Sequence, residues 1–173
     1  LCVAAVAGCA TDGSYESRAS PRARATLPAD SSASPPAPLR EASPITDTRP
    51  KYERGRDILA EISGVPADAP KADYAVLAPE IEVFLKEHLF ADLFERDVLT
   101  HAEREIATVA ILAAIGGLEP MMKGHMGIAL NVGVTPDELR GLLALVERRI
   151  GRSEADAGRL MLDEVLQGKG LTA

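Results

Sequence analysis

The sequence predicts an all-α protein. From about residue 49 onward, apolar residues recur at spacings of three and four, and no stretch shows the two-residue alternation of a half-buried strand. Two Thr-x-x-Glu capping boxes and several glycines divide this pattern into helix-sized segments. The chain has 46% hydrophobic but only 3% aromatic residues, which is typical of close-packed helices with small aliphatic side chains. We therefore expect about six helices in one domain, preceded by a disordered N-terminal segment.

The N-terminal part has a different character. Residues 1–9 form an apolar, Ala-rich run that resembles the second half of a secretory signal. Val6-Ala7-Gly8-Cys9 fits the lipobox of bacterial lipoproteins, in which Cys9 would be lipidated; the alternative is an Ala-rich start with a chance cysteine. Residues 10–50 are rich in Pro, Ser and Ala and predict a disordered linker. We expect an exported protein, either periplasmic or membrane-anchored through this lipid, with a helical domain at residues 51–173.

Charge and residue spacing exclude several kinds of partner. The net charge is -7, and since acidic and basic residues balance within residues 1–50, the acidic excess belongs to the helical domain. A nucleic-acid partner is not expected, because neutralising phosphates requires a basic surface. The three histidines, His88, His101 and His125, lack the spacing of metal ligands, and no metal or cofactor is expected. No other run reaches the ~18 apolar residues of a membrane-spanning helix, so a membrane contact is expected only through the N-terminal lipid.

Helices are expected in the following order in the first half of the domain. The first covers about residues 49–63 and ends at Gly64. After a loop, Pro79 opens a second helix with one predicted apolar face, formed by Ile81, Phe84, Leu85, His88 and Leu89. The apolar run Leu89–Phe94 is expected to form a short helix set at an angle to it.

The second half of the domain has stronger boundary signals. Thr100 and Glu103 form a capping box, and the helix that follows has a face of small and aliphatic residues and stops at Gly116-Gly117. The next helix is expected from Pro120 to about Val132, where Gly133 ends it. Thr135 begins another with Arg148 and Arg149 in its last turn, and Ser153 opens the final helix, with an inner face predicted to hold Leu160, Met161 and Val165.

The stretch Thr100–Leu142 resembles the carboxymuconolactone decarboxylase family, a branch of the alkyl hydroperoxidase D-like all-α proteins. The resemblance rests on Glu103-Arg104-Glu105, the small-residue helix after it, Lys123-Gly124-His125 and the run Gly127–Leu139. It extends from near Tyr52 to Leu166. It implies an alkyl hydroperoxidase D-like helical domain and assembly with copies of itself, as a homotrimer or hexamer.

His125 is the first candidate for chemistry, because it is the histidine inside this stretch. Its helical neighbours are apolar and would place the ring in a partly dry setting: Met121, Met122, Ile128 and Ala129. The pattern alone favours a core histidine bonded to a backbone carbonyl. The resemblance implies instead that His125 donates or accepts a proton. A catalytic His125 should open onto a cavity shared with Arg104 or Glu105, whereas a histidine sealed in the core would argue against that role.

The resemblance also implies that Glu103-Arg104-Glu105 lines the site. Glu103 and Glu105 point about 200° apart on a helix, so at most one of them faces a given pocket. We predict Glu105 as the partner that orients or activates His125. Arg104 is predicted to bind a substrate carboxylate through two hydrogen bonds, the alternative being an ion pair or a solvated position. Glu103 and Met121 are predicted as further substrate contacts, although Glu103 is also explained by its capping box.

The residues before His125 decide against thiol chemistry. Hydroperoxidase relatives have a C-x-x-C motif here, but the matching positions are Leu118 and Met121, which cannot form a thiolate or a disulfide. The resemblance implies instead a cofactor-free acid/base lyase that acts on a small carboxylated lactone or related organic acid. The alternative is a non-catalytic small-molecule-binding or oligomeric accessory protein on the same fold.

Overall fold

A computed structural model describes residues 40–70 and 73–171, with the backbone alone for residues 73 and 74. The predicted signal and lipobox, Cys9 and most of the predicted linker lie outside this range. The α-helices are α1 (Lys51–Ser63), α2 (Asp73–Leu77), α3 (Pro79–Phe84), α4 (His101–Ile115), α5 (Glu119–Asn131), α6 (Pro136–Arg149) and α7 (Arg152–Gly168). A π-helical segment, Leu85–Phe94, continues directly from α3. The described residues contain helices and no strand, which confirms the all-α fold. Helix α2 adds to the expected number, because it forms where a loop was predicted.

The last stretch of the predicted linker, residues 40–50, lies along the helical domain. Ser43 donates hydrogen bonds to Asp97 from its backbone nitrogen at 2.8 Å and from its hydroxyl at 2.6 Å. Arg40 forms an exposed ion pair with Glu103. No helix in the described part of the chain is both long enough and apolar enough to cross a membrane.

Two apolar clusters form the interior, and α5 lies between them. The larger cluster joins α4, α5, α6 and α7, and its largest fully buried apolar side chains are Val109, Met126, Leu139, Leu143 and Leu162. The smaller cluster joins α1 and the π-helical segment to α5 through Ile62, Leu85, Phe90 and Ile128. Val132 packs against both clusters. Side chains on α5 are therefore held from two sides.

The predicted helix boundaries of the second half are confirmed. Glu103 N donates to the Thr100 hydroxyl at 3.1 Å, and Thr100 N donates to the Glu103 carboxylate at 2.7 Å, so the capping box is complete. Thr135 and Glu138 form an equivalent box at the start of α6. At Gly116 the chain leaves α4 with a φ of 71°, a conformation that favours glycine.

The predicted apolar face of the second helix is wrong in part. Leu85 is buried as predicted, but Phe84 is 60% exposed and His88 is exposed, whereas Glu82, which lies outside that face, is buried. Two causes explain this: Glu82 is held inside by Lys86 and Tyr52, and the chain turns into a π-helix at Leu85, which rotates the following residues away from the α-helical pattern. The predicted break at Leu89 is absent for the same reason, because the π-helical segment continues through it.

His88 and Leu160 also lie elsewhere than predicted. His88 Nδ1 is 3.7 Å from Asp92, and its ring lies 5.0 Å from that of Phe84 on an exposed surface. Leu160 is 58% exposed on α7, while Leu162 and Leu166 are buried. The inner face of α7 therefore follows Leu162 and Leu166, which point away from Leu160 at 100° per residue.

Gly55 allows α1 to lie directly on the π-helical segment. A Cβ added at Gly55 would be 1.8 Å from the carbonyl oxygen of Lys86, so a backbone must move. We expect Gly55→Ala to lower the free energy of unfolding by about 1–3 kcal/mol, measured by urea denaturation. Gly141→Ala on α6 is the matched control: its Cβ meets nothing within 4 Å, and we expect a gain of about 0.5–1 kcal/mol. Equal effects of the two changes would contradict the close contact.

The capping box at Thr100 predicts a loss of stability in acid. The backbone and hydroxyl hydrogen bonds of Thr100, with a contribution from Arg40, lower the pKa of Glu103 below its usual 4.5. A carboxylate with a lowered pKa in the folded state stabilises the protein above its usual pKa, and this contribution is lost as the pH falls through the folded-state pKa. We expect Glu103→Gln to flatten part of the fall in melting temperature below pH 4.5, and Glu138→Gln to do the same, since the Thr135 box lowers the pKa of Glu138. Melting curves that fall as steeply as those of the wild type would contradict this.

Candidate active site

A buried carboxylate–imidazole pair joins α4 to α5. Oε2 of Glu105 lies 2.7 Å from Nδ1 of His125, and the two residues are 1% and 6% exposed. The structure thus places Glu105, rather than Glu103, against the histidine. Glu103 faces the other way and is occupied in the capping box, as the helical angle between the two glutamates requires.

Glu105 and His125 both lie on the buried faces of their helices, α4 and α5. Glu105 begins the inner face of α4 and is followed at helical spacing by Val109 and Leu112, both buried. His125 lies among the buried residues Met122, Met126 and Ala129 on α5. The crossing of these two helices, connected by Gly116-Gly117, brings together two polar groups that are 20 residues apart in sequence.

Nε2 of His125 has no hydrogen-bond partner in the described structure and is closed to solvent. When the ring is neutral and its Nδ1–H donates to Glu105, Nε2 carries a lone pair that can accept a proton. A buried polar atom left without a partner costs about 1–3 kcal/mol. This differs from a core histidine bonded to a backbone carbonyl, because the one partner of this ring is a carboxylate.

The pair does not open onto either of two cavities found among the described residues. One, of about 250 Å³, lies between α1 and α3; the other, of about 120 Å³, lies beside Gly116 and Gly117. Neither is lined by Arg104, Glu105 or His125. Because Nε2 is also closed to solvent, His125 is sealed in the described structure, an arrangement that argues against a catalytic role.

Arg104 lies next to Glu105 in sequence but binds a different part of the chain. Its Nε donates to the carbonyl of Leu99 at 3.2 Å and its Nη2 to that of Arg96 at 3.0 Å, and its guanidinium carbon lies 5.3 Å from the centre of the Phe94 ring. Burial lowers its pKa, an effect partly opposed by the charge of Glu103. Arg104 thus ties the loop before α4 to the helix.

The other predicted residues are placed as follows. Met121 lies one turn before His125 on α5 and packs, partly buried, against the larger apolar cluster. Within residues 40–70 and 73–171, no group of three or more His, Cys, Asp or Glu residues could hold a metal ion.

A second polar cluster was not predicted from the sequence. Glu82, Lys86 and Tyr52 form a largely buried network between α1 and α3. The signal available was the i, i+4 spacing of Glu82 and Lys86, which is typical of a helical ion pair. This spacing was not used as a signal, because the apolar residues around Glu82 and Lys86 indicated a buried apolar helix face.

The chain was compared with known proteins. The family model described as "Carboxymuconolactone decarboxylase family" matches residues 79–164, a range that contains both Glu105 and His125. The chain is also similar to 4-carboxymuconolactone decarboxylase of Acinetobacter baylyi, with 24% identity over 122 residues. That alignment covers 70% of this chain and 90% of the relative.

Proposed function

Because this chain belongs to the carboxymuconolactone decarboxylase family, we propose that it is a cofactor-free acid/base lyase. Its substrate in this proposal is a small carboxylated lactone or a related organic acid, from which it removes CO2. The observation that carries the proposal is the buried Glu105–His125 pair with its unpartnered Nε2. Buried polar atoms are normally hydrogen-bonded, so an unpartnered one inside the family region favours an atom reserved for a ligand.

The proposed reaction uses His125 as the proton donor. The bond between the substrate carbon and its carboxylate breaks, CO2 leaves, and the electron pair is delocalised towards a neighbouring carbonyl. The His125 imidazolium then donates its Nε2 proton to the carbon that lost the carboxylate, and the ring becomes neutral. Glu105 holds the ring in place and stabilises the imidazolium by its negative charge. A proton from solvent restores the imidazolium for the next turnover.

Arg104 is the proposed binding group for the departing carboxylate. Its guanidinium now binds two carbonyl oxygens, so it must exchange these contacts for the substrate. The N-terminal end of α5 offers further positive potential for the developing oxyanion. Met121 remains a proposed contact at the edge of this site, whereas Glu103 is held in its capping box and faces the other way.

The sealed Nε2 is the observation that favours a second function. Turnover requires the side chains over Nε2 to move, because the atom has no access to solvent in this protomer. A non-catalytic small-molecule-binding or oligomeric accessory protein does not have this requirement.

The two functions are separated by an assay of CO2 release and lactone consumption. The full chain is tested with a panel of small carboxylated lactones and β-keto acids, alongside His125→Gln and the exposed-histidine control His88→Gln. We expect turnover by the wild type and by His88→Gln, and none by His125→Gln. Absence of turnover across the panel by a folded wild-type protein would refute the lyase and favour the accessory protein.

We also propose that the chain assembles with copies of itself, as a homotrimer or hexamer. Large apolar side chains are exposed on two surfaces, Val76, Leu77, Ile81 and Phe84 on α2 and α3, and Ile111 and Ile115 on α4. Leu77 is 85% exposed, and exposed apolar side chains, where they form a patch, are typical of protein contacts. Sedimentation of the wild type and of Phe84→Glu tests this: we expect a trimer or hexamer that the charged variant weakens, whereas a wild-type monomer would contradict it.

A further inference from the structure

A cavity of about 250 Å³ lies between α1, the loop after it and α3. Its lining includes the charged residues Arg56, Glu82 and Lys86 and the phenol of Tyr52. Apart from Ser63, the remaining lining residues are Leu, Val, Ala and Pro. The cavity shares no residue with the Glu105–His125 pair. A concave site with an apolar wall and a few converging polar groups is the usual form of a small-molecule site.

Three of the polar residues are fixed by one another. Nζ of Lys86 donates to Oε1 of Glu82 at 2.5 Å and to the Tyr52 hydroxyl at 3.1 Å, and that hydroxyl donates to Oε1 of Glu82 at 3.0 Å. The ammonium also lies 4.7 Å from the centre of the Tyr52 ring. Burial by itself lowers the pKa of Lys86, but the hydrogen bonds to Glu82 and Tyr52 and the charge of Glu82 outweigh it and raise that pKa. Lys86 is therefore a fixed positive charge on the cavity wall.

Hydrogen-bond donors are in excess on this wall. Lys86 has three N–H donors, and its contacts in the described structure use two of them. Arg56 directs Nε and Nη2 to one oxygen of Asp57, at 2.9 and 2.7 Å, which leaves its Nη1 without a described acceptor. Among the described residues, the lining side chains carry two positive charges and one negative charge. A ligand that supplies acceptor oxygens and one negative charge matches this wall.

We propose that this cavity binds a small organic monocarboxylate with an apolar body. The carboxylate accepts hydrogen bonds from Arg56 and Lys86, and the apolar body lies against Leu59 and Ala60. The volume exceeds the ~150 Å³ of a cavity that holds benzene, so a ligand of about ten non-hydrogen atoms fits. This site stands independently of the proposed lyase, because the two share no residue.

Benzoate is the probe for this site, and isothermal titration calorimetry with the full chain is the measurement. We expect millimolar binding, as for other ligands of this size. Benzamide has nearly the same shape but no charge, and we expect it to bind about tenfold more weakly because it loses a charge-assisted hydrogen bond. Equal binding of the two probes, or no binding of benzoate, would refute the proposal.

Four variants locate the binding. Arg56→Gln should weaken benzoate binding about tenfold by removing a charged donor, and Ala60→Leu should weaken it by filling the cavity. Arg49→Gln is the matched control, since Arg49 also pairs with Asp57 but does not line the cavity. Arg49→Gln and His125→Gln should both leave binding unchanged.

The reverse result for two of these variants would refute the proposed benzoate site. Loss of benzoate binding in His125→Gln, with binding intact in Arg56→Gln, would place the probe at the buried pair instead. Circular dichroism checks that each variant is folded. Should Ala60→Leu fail to fold, Arg56→Gln decides alone, because Arg56 is partly exposed and its replacement leaves the interior intact.

Discussion

Replacing His125 with glutamine is expected to lower kcat by about 10²–10⁴-fold, the usual contribution of a general acid or base. The amide of glutamine can still donate a hydrogen bond to Glu105, but it cannot transfer a proton from the Nε2 position. We expect Glu105→Gln to lower kcat less, with little change in KM, because it removes the charge that orients the ring and leaves the proton carrier in place. Steady-state kinetics on the substrate found in the CO2 assay measure both.

The other two histidines provide controls for this prediction. His88 is exposed beside Asp92, and Nε2 of His101 lies 3.1 Å from the carbonyl oxygen of Phe94. We expect His88→Gln and His101→Gln to retain the wild-type kcat. A His125→Gln variant that is folded and fully active would exclude His125 as the proton donor.

The sequence predicted the helices of the second half well because their signals are local. A capping box such as Thr100 with Glu103 acts within one turn, and a glycine such as Gly116 needs only its own backbone conformation. The buried face of the second helix was predicted wrongly in part because it depends on contacts with α1. Glu82 is buried only because Tyr52, 30 residues earlier, and Lys86 bind it.

Part of the candidate site could also be predicted from the sequence. The partnership of Glu105 with His125 followed from the family resemblance and from the angle between Glu103 and Glu105, and the structure shows the two groups in contact. Spacing alone could not show that Nε2 is sealed, because this depends on how side chains from several helices cover the ring. The cavity beside Tyr52 and Lys86 could not be predicted from the sequence either, since its walls come together where α1 packs on the π-helical segment that continues α3.

Stability measurements on the buried pair separate a functional role from a structural one. His125→Leu alone leaves the carboxylate of Glu105 buried without its partner, and we expect it to lower the free energy of unfolding by about 3–5 kcal/mol. The double variant Glu105→Met with His125→Leu removes both polar groups and keeps the volume similar. Because buried ion pairs are often no more stabilising than apolar residues of the same size, we expect the double variant to be at least as stable as the wild type.

Guanidinium denaturation of the wild type, both single variants and the double variant completes the cycle. A double variant that is stable, folded and inactive would mean that the pair is not needed to hold α4 against α5. Selection for chemistry at Nε2 would then explain why two polar groups occupy a site that apolar residues fill equally well. A double variant less stable than either single variant would instead assign the pair a structural role, and the accessory-protein function would become the better account of this chain.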